Sequence, residues 1–444
     1  MSRRGSLLRH DVFDVVGVGM GPSNLAFATA VDEHNETAAE GDRIEALFLE
    51  QKDSFGWHPG MLLEGSTMQI SYLKDLATLR NPRSRFTFVN YLQQAGRLID
   101  FINHQTFFPS RIEFADYLQW VAASINSAVK YQRTVIGIEA LAEQDRNGAR
   151  YRISATGPEG TEEYLTRSVI VATGLAEKLP SWATAGPRLF HNHRLLEHLD
   201  KLGEATENRF LVLGSGQSAA EVVQHLHRSY PEAVVESAFN SFGFSPADDS
   251  PFANRVFDPS AVDDFFYAPD DVRAELINRH RSTNYSCVDL ELINELYAIE
   301  YRERVQGPRR LIFRPGTEVL EAVESDAAVS VTLHDRIKGQ AENQRYDAVV
   351  CATGFNSQGV SGLLRGVGIL GNQTPSFGRD YELLLDGVPV TGLFVQGPTE
   401  STHGLTSTLL SNVAVRGGEL LNSVLALREQ HGAPAASSLV EQGA

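Results

Sequence analysis

The stretch Asp11–Pro22, DVFDVVGVGMGP, carries a strand-like apolar run into three glycines spaced two apart, Gly17, Gly19 and Gly21, with Pro22 directly behind them. Ser23–Ala30 (SNLAFATA) then reads as a helix, and Ile44–Leu49 (IEALFL) as a second strand ending at Glu50. Such a unit has a physical use. Glycines between strand and helix let backbone N–H groups approach a pyrophosphate at the helix N-terminus, and an acid ending the second strand accepts ribose hydroxyls. The turn is GxGxGP, so Pro22 stands where GxGxxG has its third glycine. A single glycine-rich turn is as often only a turn.

A second copy changes the weight of the first. Asn208–Leu213 (NRFLVL) runs into Gly214–Ala219 (GSGQSA), a full match to GxGxxG/A, followed by a helical Ala220–Leu226 and a strand at Ala233–Val235. Two further strands run to Ala-Thr-Gly, Ser168–Gly174 (SVIVATG) and Asp347–Gly354 (DAVVCATG). Two nucleotide turns and two such strands in this order predict an α/β, two-dinucleotide-binding-domain flavoprotein: a Rossmann-like FAD domain with an inserted Rossmann-like nicotinamide-cofactor domain and a small helical substrate region. The expected division is 8–200 for the first part of the FAD domain and 201–344 for the NADPH domain, with a helical excursion around 245–300. Residues 345–428 return to the FAD domain, the chain after Gly404 forming one long helix, and 429–444 form a flexible tail.

Composition narrows the class. The 444 residues carry 56 acidic and 39 basic side chains, a formal charge of −17, which argues against nucleic acid or an anionic membrane as partner. Two cysteines, Cys287 and Cys351, lack the spacing of a dithiol reductase. The opening MSRRGSLLRH has only Leu7-Leu8 as an apolar part, and no run reaches the ~18 apolar residues of a membrane span, so a cytoplasmic protein is expected. The paired histidines His191/His193 and His225/His227 do not have metal-ligand spacing, and no metal is expected.

Longer motifs select among flavoproteins. Trp57–Met61 (WHPGM), Met68–Pro82 (MQISYLKDLATLRNP), Phe86–Tyr91 (FTFVNY), Gly214–Glu221 (GSGQSAAE), Asp249–Asn254 (DSPFAN), Thr283–Ser286 (TNYS) and His403–Ser411 (HGLTSTLLS) span nearly the whole chain. Together they resemble the N-hydroxylating flavin monooxygenases of siderophore and related biosynthesis, specifically the L-ornithine N5-monooxygenases. The resemblance implies that FAD is reduced by NADPH, that O2 adds to give a 4a-hydroperoxyflavin, and that the neutral side-chain amine of ornithine is hydroxylated. It also implies a homotetramer.

The resemblance assigns residues. FAD binding falls to Gly17, Gly19, Gly21, Pro22, to Glu50, Gln51, Lys52, Asp53, Ser54, Phe55, Gly56, Trp57 and His58, and to Gln69, Val135, Thr408, Leu409 and Leu410. Ser215, Gly216, Gln217, Ser218 and Asn284 fall to NADP. Lys74, Asn254, Phe257, Asn284 and Ser411 fall to the substrate, with Asn284 and Gln69 nearest the chemistry. Taken alone, Lys74 reads as a solvated charge, the asparagines as turn residues and Ser411 as a helix serine bonded to its own backbone. Within the family pattern, Lys74 meets the ornithine carboxylate. Arg111 contacts the cofactor or pairs with Glu113. Many family members carry an arginine for the 2′-phosphate where this chain has Asn240, so NADPH use with some NADH tolerance is expected. Two other readings remain: a lysine or diamine N-hydroxylase of the same mechanism, and a flavin-binding partner or sensor without turnover.

Overall fold

The glycine-turn strand, Val12–Val18, lies inside a nine-stranded sheet. It pairs in parallel with Ala46–Leu49 on one side, Val15 opposite Ala46, and with Gly160–Val171 on the other, Val18 opposite Val171. Ala128–Lys130 continues the sheet beyond the first neighbour and Val388–Val395 beyond the second, both parallel. Glu382–Leu385 and Pro375–Phe377 finish one edge antiparallel, while the hairpin Thr134–Ala140/Tyr151–Gly157 branches from Gly160–Val171. Val15, Val16, Val169 and Ile170 are fully buried, as continuous apolar runs require when a parallel sheet is covered on both faces. The computed structural model describes residues 12–432 except 143–147, 203–207, 284, 357, 367–368 and 370–374. The expected start at residue 8 and residues 433–444 of the expected tail lie outside these.

Helix Pro22–Thr37 packs against helix Val413–Gly432 over one side of this sheet. A Cβ on Gly417 would lie 2.9 Å from the carbonyl of Ala26, so glycine there sets how closely the two helices approach. Phe27, Phe48, Phe86, Phe88, Phe114 and Tyr117, all fully buried, fill the core between these helices and Arg111–Ser124.

The second sheet is parallel throughout, in the order Leu311–Pro315, Val234–Phe239, Arg209–Leu213, Ala348–Cys351, Leu189–His191. Its membership corrects the expected boundaries. Leu189–His191 precedes 201 and the Ala-Thr-Gly strand Ala348–Cys351 follows 344, yet both belong to the second domain. The chain crosses between domains at two short strands that pair with each other, Ala176–Glu177 and Phe355–Asn356. An antiparallel sheet of Thr317–Glu324, Val329–Asp335 and Gln340–Tyr346 packs on the second domain. The excursion resolves into helices Ala261–Tyr267, Asp270–His280 and Leu290–Gln306.

The segment after Gly404 also departs from expectation. Two 3-10 turns, Leu405–Thr408 and Leu410–Asn412, precede helix Val413–Gly432, which runs on past residue 428. Leu409 between them is extended (φ −99°, ψ 157°), and the Phe265 ring sits where a Cβ of Gly404 would be, so one continuous helix is interrupted. Just before it His403 is buried, stacked on Tyr381 at 4.4 Å, with ring nitrogens 2.8 Å from Thr402 Oγ1 and 3.2 Å from the Arg379 carbonyl. Burial, with a contribution from the nearby arginines, holds its pKa down at about 4. The unfolded chain therefore takes up this proton first. Stability contributed by the neutral ring is complete above the ordinary histidine pKa of about 6.5 and is lost as pH falls towards 4, at up to about 1.4 kcal/mol per pH unit. The melting temperature should fall between about pH 7 and about pH 5. His403→Phe, which keeps an aromatic ring on Tyr381 without the proton, should show a shallower fall.

Candidate active site at the two nucleotide turns

The first turn is built by close approach. Gly19 sits at φ +88°, where a Cβ would lie 2.6 Å from the Ala172 carbonyl oxygen, while Gly21 has no atom within 4 Å of where a Cβ would project. Gly21 is also the N-cap of helix Pro22–Thr37 and no side chain caps that terminus, so an open cradle faces unsatisfied N–H groups. Glu50, 8% exposed, accepts from the N–H of Met20 in the turn (2.7 Å) and of Lys52 (3.0 Å). Its carboxylate is thereby fixed between turn and second strand, with acceptor capacity left for ribose hydroxyls. The backbone of Gln132 and Arg133 bonds to Lys52 and Glu50, which brings Val135 up beside the same segment. These features fit a dinucleotide such as FAD.

The stretch Gln51–Ser54 is exposed, and Lys52 Nζ bonds the Gly56 carbonyl at 2.9 Å. Phe55 and Trp57 pack on the core, Trp57 with its ring 5.9 Å from Phe114. His58 adopts the left-handed conformation (φ 46°), packed by His193 and Phe355 from the domain crossing. Burial first, then His193, Arg111 and Lys52, push its pKa down to about 3. Thr408 ends the first of the two 3-10 turns ahead of the last helix, Leu410 begins the second, and extended Leu409 joins them. That helix contributes a residue the sequence reading missed, Arg416. Its buried guanidinium donates to Gln396 Oε1 (3.0 Å), the Ser407 carbonyl (2.9 Å) and Ser23 Oγ (3.3 Å). Gln396 in turn donates to Asn24, and Asn24 to the Gly19 carbonyl. A buried polar chain thus ties the last helix to the first glycine turn.

Met68–Pro82 is a series of turns without a helix. Its order comes from Asp75, buried at 2%, whose carboxylate accepts from the N–H of Ala77, Thr78 and Phe88 and from the Thr78 hydroxyl. Tyr117 adds a bond to the N–H of Leu76. Because Asp75 is turned inward, it is no partner for Lys74. Lys74 is half-buried, and among the described residues its ammonium makes no hydrogen bond or ion pair. An ammonium held at a partly dry position without a counter-ion is suited to an anionic ligand.

The second turn has Gly214 at φ +135° and Gly216 as an N-cap without a side-chain cap, leaving helix Gln217–Ser229 open to a phosphate. Ser215 and Ser218 are half-buried beside it. The Gln217 side chain is engaged within the protein: its amide donates to Asp289 (2.9 Å) and Glu221 (3.0 Å) and its oxygen accepts from the Asp289 N–H. Its backbone stands at the uncapped start of the helix. The same Asp289 carboxylate accepts from Gln69 Nε2 at 3.2 Å, so one side chain links the Met68–Pro82 loop to the second turn. Burial pushes the Asp289 pKa up, with Asp249 and Glu221 adding to the effect. Arg111 pairs with neither Glu113 nor an open site. It forms two 2.7 Å bonds to Glu221 across the domains. Glu221, four residues after Gln217, had a helical-face signal, but its partner lies 110 residues away and left none.

Among the expected substrate residues, Phe257 packs in one cluster with Tyr285, Val256, Phe265 and Leu405. Tyr285 donates to Glu400 at 2.5 Å, and burial followed by that carboxylate raises its pKa to about 12. The excursion is thus clamped onto the C-terminal turns that carry buried Ser411. Asn254 uses its amide on the Asp249 carbonyl at 2.9 Å, leaving its side-chain oxygen. Asn284 lies outside the described residues. No described contact joins Lys74 itself to Asn254, Phe257 or Ser411. Among the described residues there is no group of three or more His, Cys, Asp or Glu side chains placed to bind a metal, and no helix long and apolar enough to cross a membrane.

Comparison with known proteins gives a consistent picture. The profile of the L-lysine 6-monooxygenase/L-ornithine 5-monooxygenase family matches residues 11–357. An L-ornithine N(5)-monooxygenase of Burkholderia cepacia is 37% identical over 406 residues, 89% of this chain and 90% of that protein. The solved structure of Kutzneria sp. 744 ornithine N-hydroxylase, with reduced FAD, NADP+ and L-ornithine, is 37% identical with a TM-score of 0.87, covering 94% of this chain and all of that one. L-lysine 6-monooxygenase from Pseudomonas syringae is 30% identical with a TM-score of 0.79, covering 94% and 99%.

Proposed function

Because the chain belongs to the L-lysine 6-monooxygenase/L-ornithine 5-monooxygenase family, we propose that it is an FAD- and NADPH-dependent L-ornithine N5-monooxygenase. One observation carries this reading. The unpaired, half-buried ammonium of Lys74 stands on the loop that Gln69 and Asp289 join to the second of two uncapped glycine turns. Bound FAD supplies acceptance of electrons from NADPH and activation of O2. The chain supplies the rest.

Lys74 meets the substrate carboxylate and so directs the far amine inward. Asn254 offers its side-chain oxygen, and Ser411 and Asn284 line the same pocket. The cluster of Phe257, Tyr285 and Leu405 keeps water out of the reaction space, where a wet site would release hydrogen peroxide instead of product. The amine reacts only when neutral, so the pocket selects that form or accepts its proton. The turns at Gly21 and Gly216 would hold the two pyrophosphates, and Glu50 would accept from the FAD ribose. A cytoplasmic homotetramer completes the proposal, the tetramer resting on the family resemblance and the compartment on the sequence pattern.

Ornithine is favoured over lysine because the ornithine-hydroxylating relatives are the more similar, at 37% against 30% identity. One methylene distinguishes the two substrates, a difference worth about 1–3 kcal/mol in binding. Hydroxylamine formation by the FAD-loaded protein with NADPH, measured with ornithine, lysine and putrescine, tests the assignment. Ornithine should give a kcat/KM about 10- to 200-fold above lysine. Equal or better hydroxylation of lysine or putrescine refutes ornithine as substrate. Bound FAD with no hydroxylamine from any of the three refutes the enzyme.

A further inference from the structure

We propose that Arg336 is the residue that recognises the 2′-phosphate of NADPH in this chain. The inference rests on the reading of the second glycine turn as a nicotinamide-cofactor site. In an open parallel sheet ligands bind at the carboxyl ends of the strands, and the adenosine end of a dinucleotide reaches the end of the second strand. Here that strand is Val234–Phe239, which leads directly into Asn240 and Ser241. Asn240 is exposed and uncharged, so it brings no cation to a phosphate dianion.

A cation reaches this edge from elsewhere in the chain. Strand Leu311–Pro315 lies alongside with Pro315 opposite Phe239, so Gly316 emerges at the same end of the sheet. The Gly316 N–H donates to the Ser241 carbonyl at 2.9 Å, and the Arg336 N–H donates to the Gly316 carbonyl at 2.9 Å. Two backbone bonds therefore set Ser241, Gly316 and Arg336 side by side. The turn after Val329–Asp335 is itself fixed. Ile337 fills the space where Gly316, at φ +61°, has no side chain, and Asp335 accepts from the N–H of Ile337 and Lys338, both at 3.0 Å.

Neighbouring charges are already engaged. Asp335 pairs with Lys338 at 2.9 Å, Arg209 bonds Glu236 and Gln344, and Arg314 pairs with Glu236 and Glu342. The Arg336 guanidinium is exposed, and among the described residues it makes no ion pair or hydrogen bond. A guanidinium can bind phosphate through two parallel N–H bonds, which separates NADPH from NADH where Asn240 alone would not.

The test uses the full-length, FAD-loaded protein with 2′,5′-ADP and 5′-AMP as probes, which differ only in the 2′-phosphate. Arg336→Gln should weaken 2′,5′-ADP about tenfold or more while 5′-AMP affinity is held. It should also lower the NADPH-to-NADH ratio of kcat/KM by a similar factor, and Arg336→Lys should recover part of both. Unchanged 2′,5′-ADP affinity and an unchanged ratio in Arg336→Gln overturn the proposal. Equal loss of both probes overturns it too, since the 2′-phosphate would not be what Arg336 reads. Wild-type protein that binds neither probe overturns the cofactor reading itself, an outcome visible before any variant is made.

Discussion

Lys74→Ala should raise the ornithine concentration needed for half-maximal hydroxylation about 100-fold, while the protein keeps its FAD and still oxidises NADPH. The magnitude follows from removing one partner of a partly desolvated charge pair, about 3 kcal/mol. The selectivity of the effect follows from how the loop is held. Asp75 and Tyr117 order the turns around Lys74 through five hydrogen bonds, and the Lys74 side chain takes part in none of them. Deleting it should therefore leave the loop in place. Steady-state kinetics and flavin absorbance measured on the same preparation check both halves. An unchanged ornithine requirement would return Lys74 to the status of a solvated surface charge.

The second large effect concerns the contact between the two domains. Arg111, the first residue of helix Arg111–Ser124, meets Glu221 on helix Gln217–Ser229, with the carboxylate only 4% exposed. Arg111→Met leaves that carboxylate buried with only the Gln217 amide at 3.0 Å, and should cost about 3–5 kcal/mol. Replacing both partners, Arg111→Met with Glu221→Leu, should recover much of the loss, because a buried pair spends most of its attraction on desolvation. Urea unfolding of the two variants against wild type measures the difference. A single variant as stable as wild type would mean that water reaches Glu221 and that the pair does not hold the domains together.

The partner in that contact lies 110 residues away, so no local pattern in the sequence marks it. Glu113, two positions away, was the nearest candidate partner, yet it pairs with Arg97 at 3.4 Å while Arg111 reaches the other domain. Gln217 shows the same limit from the opposite side. Its place in a glycine turn says nothing of its side chain, which the tertiary structure engages with Asp289 and Glu221. Arg416 carried no signal either, because a single arginine in a long helix looks like a surface residue until its guanidinium is found buried against Gln396 and Ser23. Asp289 did leave a trace, as the acid directly before helix Leu290–Gln306, although its side chain serves Gln69 and Gln217 instead of capping that helix.

By itself the sequence determined the repeated unit and its chemistry. A β-rich run, glycines at close spacing and a helix are local features, and the conformations they permit are set within about ten residues, so both nucleotide turns and the acid at Glu50 were legible. Only the tertiary structure decided which sheet each strand joins. Ser168–Gly174 and Asp347–Gly354 read alike, yet the strand of the first belongs to the first sheet and that of the second to the second, because parallel pairing depends on neighbours far away in the chain. The same holds for charge. Whether Lys74, Arg111 or Arg336 is paired or free depends on which distant carboxylate the fold brings within reach, and no local pattern records that distance.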